Sequence, residues 1–169
     1  MSIWFFALCA FSIIACAVVG GVFLTFSDFV MRSLDRADTA AGIEVMQVIN
    51  REVFKLVFMV LLLGMSALSP IMTGYAYAYL SGPAAALIMI AGAVYLIGVF
   101  GVTVVFNVPM NNHLDGLEFS ASEAATYWKT VYFPDWAFWT WIRAIASMAS
   151  AACYLAAWGL LAQGAMAVG

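Results

Sequence analysis

The chain has 169 residues, of which 66% are hydrophobic and 9% charged, against the roughly one-quarter charged that a water-soluble domain needs to cover its surface. A mean hydropathy of +1.04 excludes such a domain, and a net charge of −3 leaves no basic surface for nucleic acid. The cysteines Cys9, Cys16 and Cys153 lie in apolar stretches without CxxC spacing, which suits small packing residues better than a disulfide or metal framework.

Four stretches meet the roughly 20 apolar residues that a bilayer span requires, and spans are expected at about 3–27, 53–80, 84–108 and 137–162. The first has no Lys or Arg before it and runs too long for a signal-peptide core. "IIAC", ending at Cys16, lacks the basic start of a lipoprotein signal, so the segment reads as a retained helix. Asp28 marks its end. From Thr39 the residues Ile43, Met46, Asn50, Val53, Phe54 and Val57 keep a helical period that runs into the second span. That predicts one helix of about 40 residues, on the order of 60 Å long, kinked at Pro70.

The third span closes on "NVPMNNH", residues 107–113. Pro109 has no amide hydrogen and frees the carbonyl of Val105, a group that lipid cannot satisfy. Asn107 is placed to serve it, and Asn111 follows one helical turn later. The cluster reads either as a hydrogen-bonded helix end at the headgroups or as the polar lining of a ligand pocket. Asn50 interrupts an apolar stripe and Asp28 ends span one, so the expected pocket is built from Asp28, Asn50, Asn107, Asn111 and Arg143. His113 is the lone histidine, a surface residue or a general base, and no spacing of ligands suggests a metal site. P-loop, GxGxxG, GxSxG and HExxH motifs are absent from the sequence.

"SASE", residues 120–123, has the form of a capping box, which predicts a helix through Tyr132, with Pro134 in the first turn of the fourth helix. Trp128, Tyr132, Trp136 and Trp139 recur at helical spacing and Arg143 follows. They form an interfacial girdle with Arg143 reaching the headgroups, or they stack on a flat ligand while Arg143 holds an anionic oxygen. Asp28, Glu52 and Asp135 are alternative partners for Arg143.

Charged side chains fall in two blocks, Asp28–Lys55 and Asp115–Arg143, which four spans bring to one face. The positive-inside rule makes that face cytoplasmic and the termini external, in what reads as a bacterial cytoplasmic membrane. Residues 21–35 align on 101–115, sharing Gly, Val, Phe, Leu and Asp, a candidate duplication of helical hairpins. The expected fold is all-α: a single integral membrane domain over residues 1–169, a four-transmembrane-helix bundle with helical extensions on the charged face.

The succession "GGVFLTFSDFVMRSL", "EVMQVINREVF", "FNVPMNNHL" and "WAFWTWIRA" resembles the anthrone oxygenase-like integral membrane proteins across most of the chain. Asn107, Pro109 and Asn111 carry the resemblance most specifically, then Arg143. It implies a four-helix bundle that oxidises a tricyclic anthrone with molecular oxygen and no cofactor, neither metal nor flavin. The family pattern has Asn where this chain has Thr140 and Thr where it has Ala144. Under that resemblance Asn107, Asn111 and Arg143 are the oxyanion donors, His113 the base and Asp28 its reserve. Asn50 and Tyr132 line the pocket, and Trp128, Trp136 and Trp139 stack on the rings. The other reading is a non-catalytic membrane protein that binds a quinone-like or lipid ligand, or a homo-oligomer or subunit of a larger membrane complex. Both expect the bilayer and a hydrophobic aromatic small molecule as partners.

Overall fold

In hydrocarbon each backbone group must be satisfied within its own segment, and the apolar stretches do this as helices. A computed structural model describes residues 3–55 and 57–166. Its helices are α1 (Ile3–Arg36), α2 (Thr39–Glu52), α3 (Val57–Tyr79), α4 (Gly82–Asp115) and α5 (Ser122–Gly164), with no strand among the described residues. All but α2 are long and apolar enough to cross a membrane, and the chain is an all-α, four-span integral membrane protein. α1 packs on α5 and α3, and α4 packs on the same two helices, so α1 and α4 stand diagonally across the bundle.

Small residues set the close contacts. A Cβ on Gly20 would lie 3.0 Å from Met148 Cγ, and one on Gly98 would lie 2.5 Å from Ala146 Cβ. Serines satisfy carbonyls across these seams: Ser147 Oγ donates to Cys16 O at 2.8 Å and Ser150 Oγ to Ala91 O at 3.0 Å. Val19, Met65, Ile88, Tyr95 and Tyr154 fill the bundle core. A second core of Met31, Ile43, Met46, Leu114, Ala124, Trp128 and Tyr132 forms a cap at the charged end. Gln47 ties this cap together, Nε2 donating to Leu114 O at 2.7 Å and to Leu117 O at 2.9 Å. The two charged blocks meet there, where Arg51 and Asp115 form an ion pair at 2.9 Å.

Three local expectations are corrected. The predicted 40-residue helix is two helices, α2 and α3, separated by a 3₁₀ turn at Val53–Lys55. α2 buries Ile43, Met46 and Gln47 in the cap while α3 faces the bundle. The tighter turn brings residues three apart together, and Lys55 Nζ meets Glu52 Oε1 at 2.7 Å. The expected capping box does not form: Ala121 is the N-cap without a side-chain bond, and Ser120 Oγ turns to Glu118 Oε1 at 3.3 Å. Pro134 does not open a helix but sits inside the π-helical segment Trp128–Trp136 of α5. The wider turn accommodates a residue that lacks the donor and carries a ring where the preceding turn should close.

Further π-turns occupy Phe26–Val30 in α1 and Leu96–Gly101 and Thr103–Asn107 in α4. The aligned segments 21–35 and 101–115 thus hold corresponding places near the charged ends of two diagonal helices, each 34 residues long.

Candidate functional site

Between the bundle core and the cap lies a cavity of about 190 Å³. A single water needs only about 10–15 Å³ on this measure, so the space is not a packing defect. Its walls are apolar and aromatic: Phe23 and Phe26 from α1, Met46 and Ile49 from α2, Phe58 and Leu62 from α3, Phe100 from α4 and Trp136 from α5. Set into them are Asn50, Thr103, Asn107, Asn111 and Arg143. The π-turns give this lining its phase, since Phe26, Phe100, Thr103, Asn107 and Trp136 all fall within one.

Arg143 is the only charged group on the wall. It is 5% exposed and has no carboxylate partner among the described residues. Nη2 donates to Thr140 Oγ1 at 2.6 Å and Nη1 to Thr103 Oγ1 at 3.4 Å, while Nε has no partner. Cζ lies 4.2 Å from the centroid of the Phe23 ring and 5.4 Å from a Trp136 ring. Such cation–π contacts are worth about 0.5–2 kcal/mol each, less than the several kcal/mol of burying an unpaired ion. The wall therefore favours an anion beside the guanidinium.

The amides form two groups. Asn107 does not reach back to Val105; Nδ2 donates to Trp136 O at 3.4 Å and to Thr140 Oγ1 at 3.3 Å, and Oδ1 is buried without a partner. The π-turn explains this, because the Val108 N–H bonds to Thr103 O and the helix has already been re-phased before Pro109. Asn111 Oδ1 accepts from Trp136 Nε1 at 2.7 Å and from the Tyr132 hydroxyl at 2.9 Å, and Asn50 Nδ2 donates to that hydroxyl at 3.2 Å. α2, α4 and α5 thus meet at the Tyr132 hydroxyl, which accepts from Asn50 and donates to Asn111.

The structure brings Asn50, Asn107, Asn111, Tyr132, Trp136 and Arg143 into one assembly. Trp128 stands one step back, stacked on Tyr132 at 5.4 Å, with Nε1 donating to Asp35 Oδ1 at 3.1 Å. Tyr132 in turn stacks on Trp136 at 6.0 Å, so the three rings form a ladder away from the cavity. Trp139 stacks on Phe106 at 3.6 Å and is not a cavity residue.

His113 and Asp28 do not join. His113 is exposed, its ring 4.3 Å from Tyr127. It follows Asn111 by two residues, roughly 200° around a helix, and so faces away. Asp28 is exposed for the same reason, two residues beyond the lining Phe26. No histidine or carboxylate lines the cavity, and no three His, Cys, Asp or Glu side chains converge among the described residues.

Three participants escaped the sequence reading. Thr140 is the shared acceptor of Asn107 and Arg143, and its hydroxyl returns to Trp136 O at 2.7 Å. Its signal was present, since it stands where the resembling family has Asn. Thr103, one turn before Asn107, and Phe23, under the guanidinium, were hidden as ordinary residues of apolar spans.

Residues 51–153 match the model of a family described as anthrone oxygenase. The matched range holds Asn107, Asn111, Thr140 and Arg143 and leaves α1 outside. No curated protein and no solved structure matches the chain.

Proposed function

Because the chain belongs to the anthrone oxygenase family, we propose that its cavity binds a flat phenolic or polyketide-like molecule and promotes its oxidation by molecular oxygen. The observation that carries this reading is the buried Arg143 guanidinium without a carboxylate, set in an aromatic chamber. An anthrone has an acidic C–H whose loss spreads negative charge onto its carbonyl oxygen. A fixed cation beside that oxygen favours the anion, and fixed charge aimed at developing charge is often the largest catalytic contribution. The anion gives its electrons to oxygen: one anthrone and one O₂ yield one anthraquinone and one water. With no base on the wall, the proton leaves to water at the polar mouth beside Asn50 and Asn111.

The same lack of a base favours a second reading, in which the cavity only binds a quinone-like molecule. Purified full-length protein in phosphatidylcholine vesicles, given 1,8-dihydroxyanthrone without metal or flavin, separates the two. The oxygenase consumes oxygen above the vesicle background, and Arg143→Gln lowers that rate about 10²-fold or more. Wild-type uptake equal to empty vesicles removes the oxygenase. Quenching of tryptophan emission by 1,8-dihydroxyanthraquinone then leaves the binding reading standing.

A further inference from the structure

The cavity has two sides on which it nears the surface, and they differ in character. Toward the charged end lies a depression lined by Asn50, Arg51, Asn111, Asn112 and Asp115 together with Phe54 and Val108. The Arg51–Asp115 ion pair spans it at 2.9 Å, and the Asn50–Tyr132–Asn111 bonds lie beneath. The other side is the cleft between α3 and α4. Three residues there line the cavity yet remain open on the outside: Leu63 and Val104 at 50% and Phe100 at 37% exposure.

The packing explains the cleft. α3 and α4 touch closely around the middle of α3, where Gly92 lets Ser69 and Thr73 approach so far that a Cβ would overlap Thr73 Oγ1. Further along, Gly98 draws α4 onto Ala146 of α5 instead. At the other end α3 continues into the 3₁₀ turn and α2, which is held on the cap. The two helices stay neighbours through Leu96–Gly101, where the Tyr95 hydroxyl donates to Leu62 O at 3.3 Å, and the cavity nears the outside past that contact, between the apolar Leu63, Phe100 and Val104.

We propose that this cleft is a lateral portal, through which the cavity is filled from the hydrocarbon of the bilayer. The proposal rests on the cavity being the ligand site and names its ligand more narrowly. An ion in hydrocarbon is costly, so the molecule arrives uncharged, lipid-dissolved and flat enough to pass between two helices. It meets a cation only after passing Phe100 and Val104. The acidic group is thus neutral in transit and ionises inside.

The test is photolabelling of the full-length protein in phosphatidylcholine vesicles containing 3-trifluoromethyl-3-phenyldiazirine, a small apolar aryl probe. Peptide mass spectrometry locates the inserted carbene. Phe23 and Leu62, buried residues of the cavity wall, are expected to carry label in the wild type. Leu63→Phe with Val104→Phe fills the portal and abolishes that label, while outward Ile71 and Ile97 stay labelled. Phe100→Ala widens it and raises the label on Phe23 and Leu62, an effect of opposite sign that a misfolded double variant cannot imitate. Unlabelled Phe23 and Leu62 in the wild type overturn the portal, as does label undiminished by L63F/V104F or lost instead on Arg51→Ala. Labelling needs no turnover. Label without oxygen uptake removes the oxidation and keeps the route, whereas uptake without label removes the route alone.

Discussion

Asn111 ties α4 to α5, because two donors from α5 end on its single amide oxygen. Asn111→Leu strands the Trp136 N–H and leaves the Tyr132 hydroxyl with Asn50 as its donor and no acceptor of its own, and a buried group left unpaired costs about 1–3 kcal/mol. Asn112 is exposed, so Asn112→Leu should change stability by no more than about 0.5 kcal/mol. Thermal unfolding in detergent compares the two, with a clear drop expected for Asn111 alone. Arg143→Met should behave differently again. It removes an unpaired buried charge and leaves Thr140 and Thr103 bonded to their own helix carbonyls, so melting should not fall while anthrone turnover is lost. Polar and charged residues in an oily chain are costly to leave unpaired, which is why Asn50, Asn107, Asn111 and Arg143 were legible from sequence. Which way His113 and Asp28 point was not, because direction depends on helix phase and the π-turns alter it.

At the scale of elements, apolar runs fixed where the spans lie, but not where helices break or widen. The period from Ile43 to Val57 continues smoothly through a turn that separates α2 from α3, since an amphipathic pattern does not record a tightened turn. "SASE" fits a capping box by spacing, yet Ser120 finds Glu118 nearer. α2 does have a working cap, Asp38, whose carboxylate accepts from Ala41 N at 3.2 Å. Asp38→Ala should cost about 1 kcal/mol, read as a fall in melting temperature without loss of turnover. Gly92→Ala should cost more, about 1–3 kcal/mol, because its Cβ runs into Thr73 and Ser69 where α3 crosses α4. A wedge at that crossing also spreads the cleft above it, so this variant should label more strongly at Leu62 as it melts earlier.

For the whole molecule, the composition already demanded a bilayer, and the two charged blocks demanded one shared end. Their meeting in a cap with its own core could not be read from the sequence, because Trp128, Tyr132, Ile43 and Leu114 become neighbours only after three helices assemble. The expected orientation puts this cap in the cytoplasm. Alkaline phosphatase fused at the C-terminus should then be active and a green fluorescent protein there dark, with the reverse for fusions within 116–121, the loop between α4 and α5. A bright C-terminal fusion would reverse the assignment.

A π-turn is an α-helix with a residue to spare. Removing one residue from Thr103–Asn107 would let α4 close as an ordinary helix, with Asn111 and everything after it close to its present phase. The side chains of the turn itself would be redistributed around the axis, with each helix still long enough to span. Change in this site can therefore come by deletion as well as by substitution. Two chains of nearly the same sequence, one residue apart in length at these turns, would present different walls to whatever enters.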